Sequence, residues 1–363
     1  MTGIMKVRII LFDDVPKHRD EVLGALSQAL GKGGEVQLFV PGKSGMKDGT
    51  HEKRLAADMA VAPNVPANLI IADRDLSGYS DEYRGLSEST VRLVADELGI
   101  PECGYARGER DDDPGYIERG EQRESCIRLS LRPDIGQFAG QAVAIAEGFA
   151  RISDGLAAAF KEAGKKSPGR LLASILAKPE YADKISLFAS GDQNRLAALA
   201  NVRATKDESG KGRRLACFLG YWLWDSILRF PGVVVNGVAA SSYLNIHQDD
   251  FWSEDLQILF REALYDGPFA GAKEPLWWRG KLDDILSASG CSDGKVYAEQ
   301  KLKRQLRQSQ CCEDPSKVAG YYCFLRKRPV SLERSKAGLP WFPRGADLAR
   351  VSLKAYEELG PWL

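Results

Sequence analysis

The stretch VRIILFDDVPKHRDEV, residues 7–22, decides the fold of the N-terminal half. Its first part, Val7 to Phe12, is almost continuously aliphatic or aromatic and then runs into two adjacent carboxylates, Asp13 and Asp14. A short, near-continuous apolar run of this kind suits a strand buried on both faces, the condition inside a parallel sheet. VPKHRDEVLGALSQALGKGG, residues 15–34, follows with helical spacing. Val22, Leu23, Leu26, Ala29 and Leu30 share one face of that helix, and glycines from Gly31 onward close it.

The pattern repeats downstream. EVQLFV (35–40) and NLIIAD (68–73) read as the second and third strands, separated by a long connection over residues 41–67. SESTVRLVADELG (87–99) is an amphipathic helix with Val91, Val94, Ala95 and Leu98 turned inward. IPECGYA (100–106) is a short fourth strand, residues 107–125 a charged loop, and CIRLSL (126–131) a fifth strand before Arg132 and Pro133. Alternating strands and helices predict an α/β doubly wound parallel sheet over residues 1–133, with right-handed crossovers placing helices on both faces.

In residues 134–163, Ile135, Phe138, Ala142, Ile145, Phe149, Ile152, Leu156 and Phe160 recur at three- and four-residue steps. They predict one linking helix of roughly 30 residues, about 45 Å long. A domain of this size needs half of that, so the distal half is expected to dock on the next domain or to pair with a second copy, as a homodimer. After the linker GKKSPGR, residues 170–363 read as a mostly α-helical domain, with segments 170–179, 184–202, 253–267, 275–290, 296–310 and 345–360 all carrying helical spacing. Ser253, Pro275 and Asp347 are plausible helix openings. Only AGYYCFLRKRPVS (319–331) reads as extended.

Lysine plus arginine and aspartate plus glutamate number 50 each, which excludes any global charge argument for a nucleic-acid or membrane partner. The seven cysteines are scattered and without a CxxC pair, so Cys311, Cys312 and Cys323, even with His247, do not make a zinc pattern. With no signal peptide to read, a reducing cytoplasm is the expected compartment. The most apolar stretch, residues 215–244, is broken by Asp225, Arg229 and Pro231 and reads as buried core, not as a membrane span.

In a doubly wound sheet, functional groups gather at the carboxyl ends of the strands. Asp13 and Asp14 end the first strand and Asp73 the third, so three carboxylates are expected to converge. Such a cluster repels itself unless a cation such as Mg²⁺ joins it.

ILFDD followed by a helix, and LIIADRDLSG with Gly78 five residues past Asp73, together resemble the receiver domain of two-component response regulators. The resemblance covers about residues 5 to 150. It implies a receiver or flavodoxin-like fold, Mg²⁺ held by Asp13, Asp14, Asp73 and the backbone of Asp75, and Asp73 as phosphoryl acceptor. It also implies Arg132 in the place of the receiver lysine, although an arginine is larger and forked. Two further departures stand out: Ala106 falls where receivers carry a threonine or serine, and Leu76 is followed by Ser77 instead of proline.

The expected function is therefore a cytoplasmic signalling or adaptor protein whose degenerate receiver controls a helical output domain by protein–protein contact. Its partner is a sensor kinase or an output protein. One alternative is a phosphorylated response regulator with nucleic-acid output; another is an enzyme regulated by the receiver-like domain. Lys301, Lys303, Arg304, Arg307, Arg326, Lys327 and Arg328 form the basic concentrations, read either as a solvated face or as a nucleic-acid or partner contact. The aromatic runs 276–286, 320–331 and 341–351 suit either a partner groove or a closed core.

Overall fold

Strand β1 (Val7–Phe12) lies between β2 (Gly34–Leu38) and β3 (Leu69–Asp73), so hydrogen-bonded neighbours flank it on both sides and the near-continuous apolar run is explained. β4 (Glu102–Ala106) and β5 (Ile127–Ser130) complete an all-parallel five-stranded sheet in the order β2-β1-β3-β4-β5. The computed structural model describes residues 7–61, 67–76, 78–79, 83–106, 127–131, 134–163, 167–189, 208–337, 339–340 and 342–359. Its contacts divide the chain into two units, one of residues 1–114, 123–164 and 197–221, the other of residues 115–122, 165–196 and 222–363.

In the first unit α1 (Pro16–Leu30), α2 (His51–Met59) and α3 (Glu88–Leu98) lie between successive strands from β1 to β4, and α4 (Ile135–Ala163) follows β5. The nine-residue α2 occupies the long connection before β3, opened by Thr50, whose side chain accepts from the Lys53 amide. Successive strand side chains alternate between faces. Ile10, Phe12, Ile70 and Ala72 accordingly face Leu55 and Met59 of α2 and Val91, Val94 and Ala95 of α3, while α1 and α4 pack together over the other face. The inward face expected for α3 is therefore the buried one. It ends at Gly99, whose left-handed φ of 66° closes the helix.

Helix α4 has 29 residues, close to the length read from its periodicity. Phe138, Ala142, Ile145, Phe149, Ile152 and Leu156 are buried, whereas Phe160 is 41 % exposed. The helix Glu208–Trp222, read from sequence as part of the C-terminal domain, belongs through Tyr221 to this first unit. There the Tyr221 ring meets that of Phe149 edge-on at 5.3 Å.

The second unit holds helices within the expected segments, at Pro168–Ile175, Ala182–Leu187, Glu254–Leu259, Arg279–Ala288, Gly294–Leu302 and Leu353–Leu359, and others at Gly237–Tyr243 and Gln248–Phe251. It also holds strands. β6 (Val234–Asn236) pairs with β7 (Leu276–Trp278), and β8 (Tyr321–Cys323), β9 (Arg328–Val330), β10 (Ser335–Ala337) and β11 (Ala349–Ser352) form a sheet ordered β10-β11-β8-β9. The extended reading of residues 319–331 holds in β8 and β9. The helical readings are corrected in part: within 184–202 the helix ends at Leu187 and residues 190–202 lie outside the described ones, within 253–267 it covers only Glu254–Leu259, a strand precedes the helix in 275–290 and in 345–360, and the helix within 296–310 stops at Leu302, where Lys303 turns left-handed with φ 54°. Among the described residues no helix is long and apolar enough to cross a membrane.

Candidate functional site

The register that pairs Phe12 with Ala72 brings Asp13 level with Asp73, and the next pairing sets Asp73 opposite Tyr105 on β4. Alternation along β1 turns Asp13 away from the face that holds Ile10 and Phe12, toward α1 and α4. Asp13, Asp73 and Tyr105 thus form a row across three adjacent strand ends on one side of the sheet. All three are buried, at 3 %, 6 % and 1 % exposure.

The Tyr105 hydroxyl donates to Asp13 Oδ2 at 2.6 Å. Its ring is held edge-on against Phe138 of α4, with centroids 5.5 Å apart. The other Asp13 oxygen accepts from the Val15 amide at 2.9 Å, which turns the chain from the strand into α1. Asp14 Oδ2 accepts from the Gly78 amide. A side chain at Gly78 would place its Cβ 2.8 Å from that oxygen, so the glycine spaced from Asp73 in the sequence serves the approach of Asp14. Asp14 Oδ1 is buried without a hydrogen-bond partner among the described residues. Asp73 Oδ1 faces the Asp75 amide at 3.4 Å, at the edge of hydrogen-bonding distance.

The structure brings Asp13 and Asp73 together and meets their neighbourhood with protein donors. Among the described residues no group of three or more His, Cys, Asp or Glu is placed to hold a metal ion. Mg²⁺ demands close oxygen ligands in near-octahedral order. Asp13 accepts from the Tyr105 phenol on one oxygen and from the Val15 amide on the other. No step below passes through the ion that the resemblance implies. β4 ends at Ala106, beside Ser130 of β5, as the sequence suggested. Arg132 lies outside the described residues.

Two buried polar clusters of this unit went unread in the sequence. Asp58 of α2, 1 % exposed, accepts from the Gly42 amide at 2.6 Å, the Ser44 amide at 2.7 Å and the Tyr83 hydroxyl at 2.8 Å. Burial alone would raise its pKa, but the hydrogen bonds from Ser44, Tyr83 and Gly42 outweigh it and hold the carboxyl below its ordinary range. On the other edge, Arg92 pairs with Glu88 at 2.8 Å and Glu102 at 3.6 Å, and Arg128 pairs with Glu88 at 3.3 Å. The available signal for Tyr105 is alternation, which places it on the Asp73 face of β4.

In the second unit three of the seven basic candidates are tied to carboxylates. Arg304 pairs with Asp255 at 2.9 Å, Arg307 with Asp250 at 2.7 Å, and Arg326 with Glu358. Lys301 lies over the Tyr297 ring, 5.9 Å from its centroid. Lys303 and Lys327 occupy left-handed turn positions, and Arg328 starts β9. The aromatic runs close a core: Phe230 stacks on Phe324 at 4.5 Å with Phe342 edge-on to both, and Trp277 and Trp278 are buried. Cys311 and Cys323 are buried free thiols, and burial first, then those two neighbours, pushes the Cys312 thiol up to about 11. No family model matches the chain, and no curated protein matches its sequence.

Proposed function

We propose that this chain is a signalling adaptor whose N-terminal unit is a degenerate receiver that works through protein contact, without phosphoryl transfer at Asp73. The strand order β2-β1-β3-β4-β5 is the order of flavodoxin-like and receiver sheets, whose functional crevice opens at the strand carboxyl ends. In-line phosphoryl transfer needs charge neutralisation on the moving oxygens, by a metal and by nearby donors. This strand-end row instead directs its one hydroxyl inward, onto Asp13 at 2.6 Å, and that observation carries the reading. β4 ends in an alanine, which has no hydroxyl to receive a phosphoryl oxygen. A receiver retained without its chemistry keeps what its fold supplies, a rigid surface for a partner protein.

Incubation of the full chain with acetyl phosphate and MgCl₂, followed by intact-mass measurement of the native protein and Asp73→Ala, tests this. The expected spectra show no phosphoryl gain that depends on Asp73. A gain present in the native chain and absent from the variant overturns the reading.

A further inference from the structure

We propose that Lys273 is a carbon dioxide site, where the amine set against the ring and carbonyl of Trp224 takes up CO₂ as a carbamate. The site lies within the second unit and stands independently of the receiver reading.

The turn that faces Lys273 frees a carbonyl. Residues Leu223–Ile227 form a π-turn, in which the Leu228 amide reaches back to the Leu223 carbonyl at 2.9 Å. In a regular α-helix that amide would serve Trp224. The Trp224 carbonyl accepts instead from Lys273 Nζ at 3.3 Å, and the same nitrogen stands over the Trp224 ring, 4.1 Å from its centroid. Phe269 meets that ring edge-on at 5.6 Å, so the indole is packed as well. Among the described residues no carboxylate stands within ion-pairing distance of Lys273.

A cation given one carbonyl and one ring in place of water is poorly solvated. Burial accordingly lowers the pKa of Lys273 to about 8, Asp225 opposing the shift and Arg229 adding to it. At about pH 7.5 roughly a quarter of such amines are neutral, against about one in a thousand for an ordinary lysine.

Only the neutral amine is a nucleophile. Its lone pair forms the C–N bond to CO₂, one C=O electron pair moves onto oxygen, and the nitrogen releases a proton to water. Counted from the ammonium, two protons leave and a carbamate anion is made. CO₂ is small and apolar, which suits an amine lying against an indole. The exposed Gly271 and Glu274 flank Lys273 along the chain and open this segment to solvent. Carbamylation reverses the charge, so the attraction of the Trp224 face for a cation is lost. Arg229, whose charge opposes the ammonium, favours the carbamate.

The full chain, native and Lys273→Arg, is incubated with ¹³CO₂ and bicarbonate at about pH 7.5. Carbamates are trapped with triethyloxonium ion and located by peptide mass mapping. Arginine keeps the positive charge but offers no neutral amine. A synthetic peptide with a free α-amino group, added to the same tube, reports that trapping has worked. The trapped adduct at Lys273 should exceed that at the exposed Lys47 and Lys354 by at least about tenfold. The ¹³C spectrum of the native chain should hold a carbamate signal that Lys273→Arg lacks. A labelled control peptide with no adduct at Lys273 overturns the proposal. So do equal levels at Lys273, Lys47 and Lys354, or a native spectrum whose every carbamate signal persists in Lys273→Arg. Peptide mapping of the native chain decides the point even if Lys273→Arg fails to fold.

Discussion

Asp58 is the residue on which the loop after β2 depends. Its carboxylate gathers two loop amides and one phenol, so Asp58→Ala leaves three donors facing an apolar gap. Each orphaned buried donor is worth about 1–3 kcal/mol, and partial hydration of the loop should limit the whole loss to roughly 2–4 kcal/mol in urea unfolding at neutral pH. The sign of its pH dependence follows from a folded pKa lowered below that of the unfolded chain. The native contribution is complete above the unfolded value near 4 and disappears as pH falls through the lower folded value. Stability of the native chain should therefore fall more steeply below about pH 4 than that of Asp58→Ala, the two curves converging in acid. Equal acid slopes would show that the carboxyl is not held as described. Asp13, Asp14 and Asp73 could be read from sequence because each ends or follows an apolar run. Asp58 and Tyr105 could not, since their partners lie 25 and 92 residues away and only the folded register joins them.

At the scale of elements, close packing sets two outcomes against simple expectations. Gly220 lies in the helix Glu208–Trp222, where replacing glycine by alanine ordinarily gains up to about 1 kcal/mol. A Cβ there would lie 2.2 Å from Cε1 of Phe149, and overpacking of a core costs about 1–3 kcal/mol. Gly220→Ala should accordingly lower the denaturation midpoint, and adding Phe149→Leu should return part of the loss; a stabilised single variant would refute this contact. On the sheet edge, Arg92 joins Glu88 of its own helix to Glu102 of β4, both almost fully buried. Arg92→Met removes one charge from a buried set and should cost about 3–5 kcal/mol, measured by urea unfolding against an exposed control such as Arg19→Met. The strands and helices of the first sheet were legible because each is long enough to display a period. β7 and β11 were not: three and four residues carry no period, and each runs directly into a helix whose spacing dominates the window.

At the scale of the molecule, the chain returns to a core that it has already left. A linear reading places the division near residues 133–170, because linker composition marks where a chain leaves one core and cannot mark where it comes back. Residues 197–221 rejoin the first unit. There the Tyr221 hydroxyl accepts from the Glu102 amide at 2.7 Å and donates to the Glu102 carbonyl at 3.1 Å, and Arg214 reaches the Glu97 carbonyl at 3.1 Å. Burial comes first among the influences that push the Tyr221 hydroxyl far above its ordinary pKa, so the phenol stays neutral and serves β4 as a backbone partner. A fragment of residues 1–164 lacks this helix, which leaves the Glu102 backbone and the Phe149 ring open to water. That fragment should unfold at lower urea concentration and with a smaller dependence on denaturant than a chain in which residues 165–196 are replaced by a Gly/Ser linker and the sequence ends at Tyr221. The linker itself adds little, because closing a flexible loop of that length costs only slowly more as it lengthens. Far-ultraviolet circular dichroism of both fragments in urea decides the point, and coincident transitions would mean that the returning helix contributes nothing to the fold it joins.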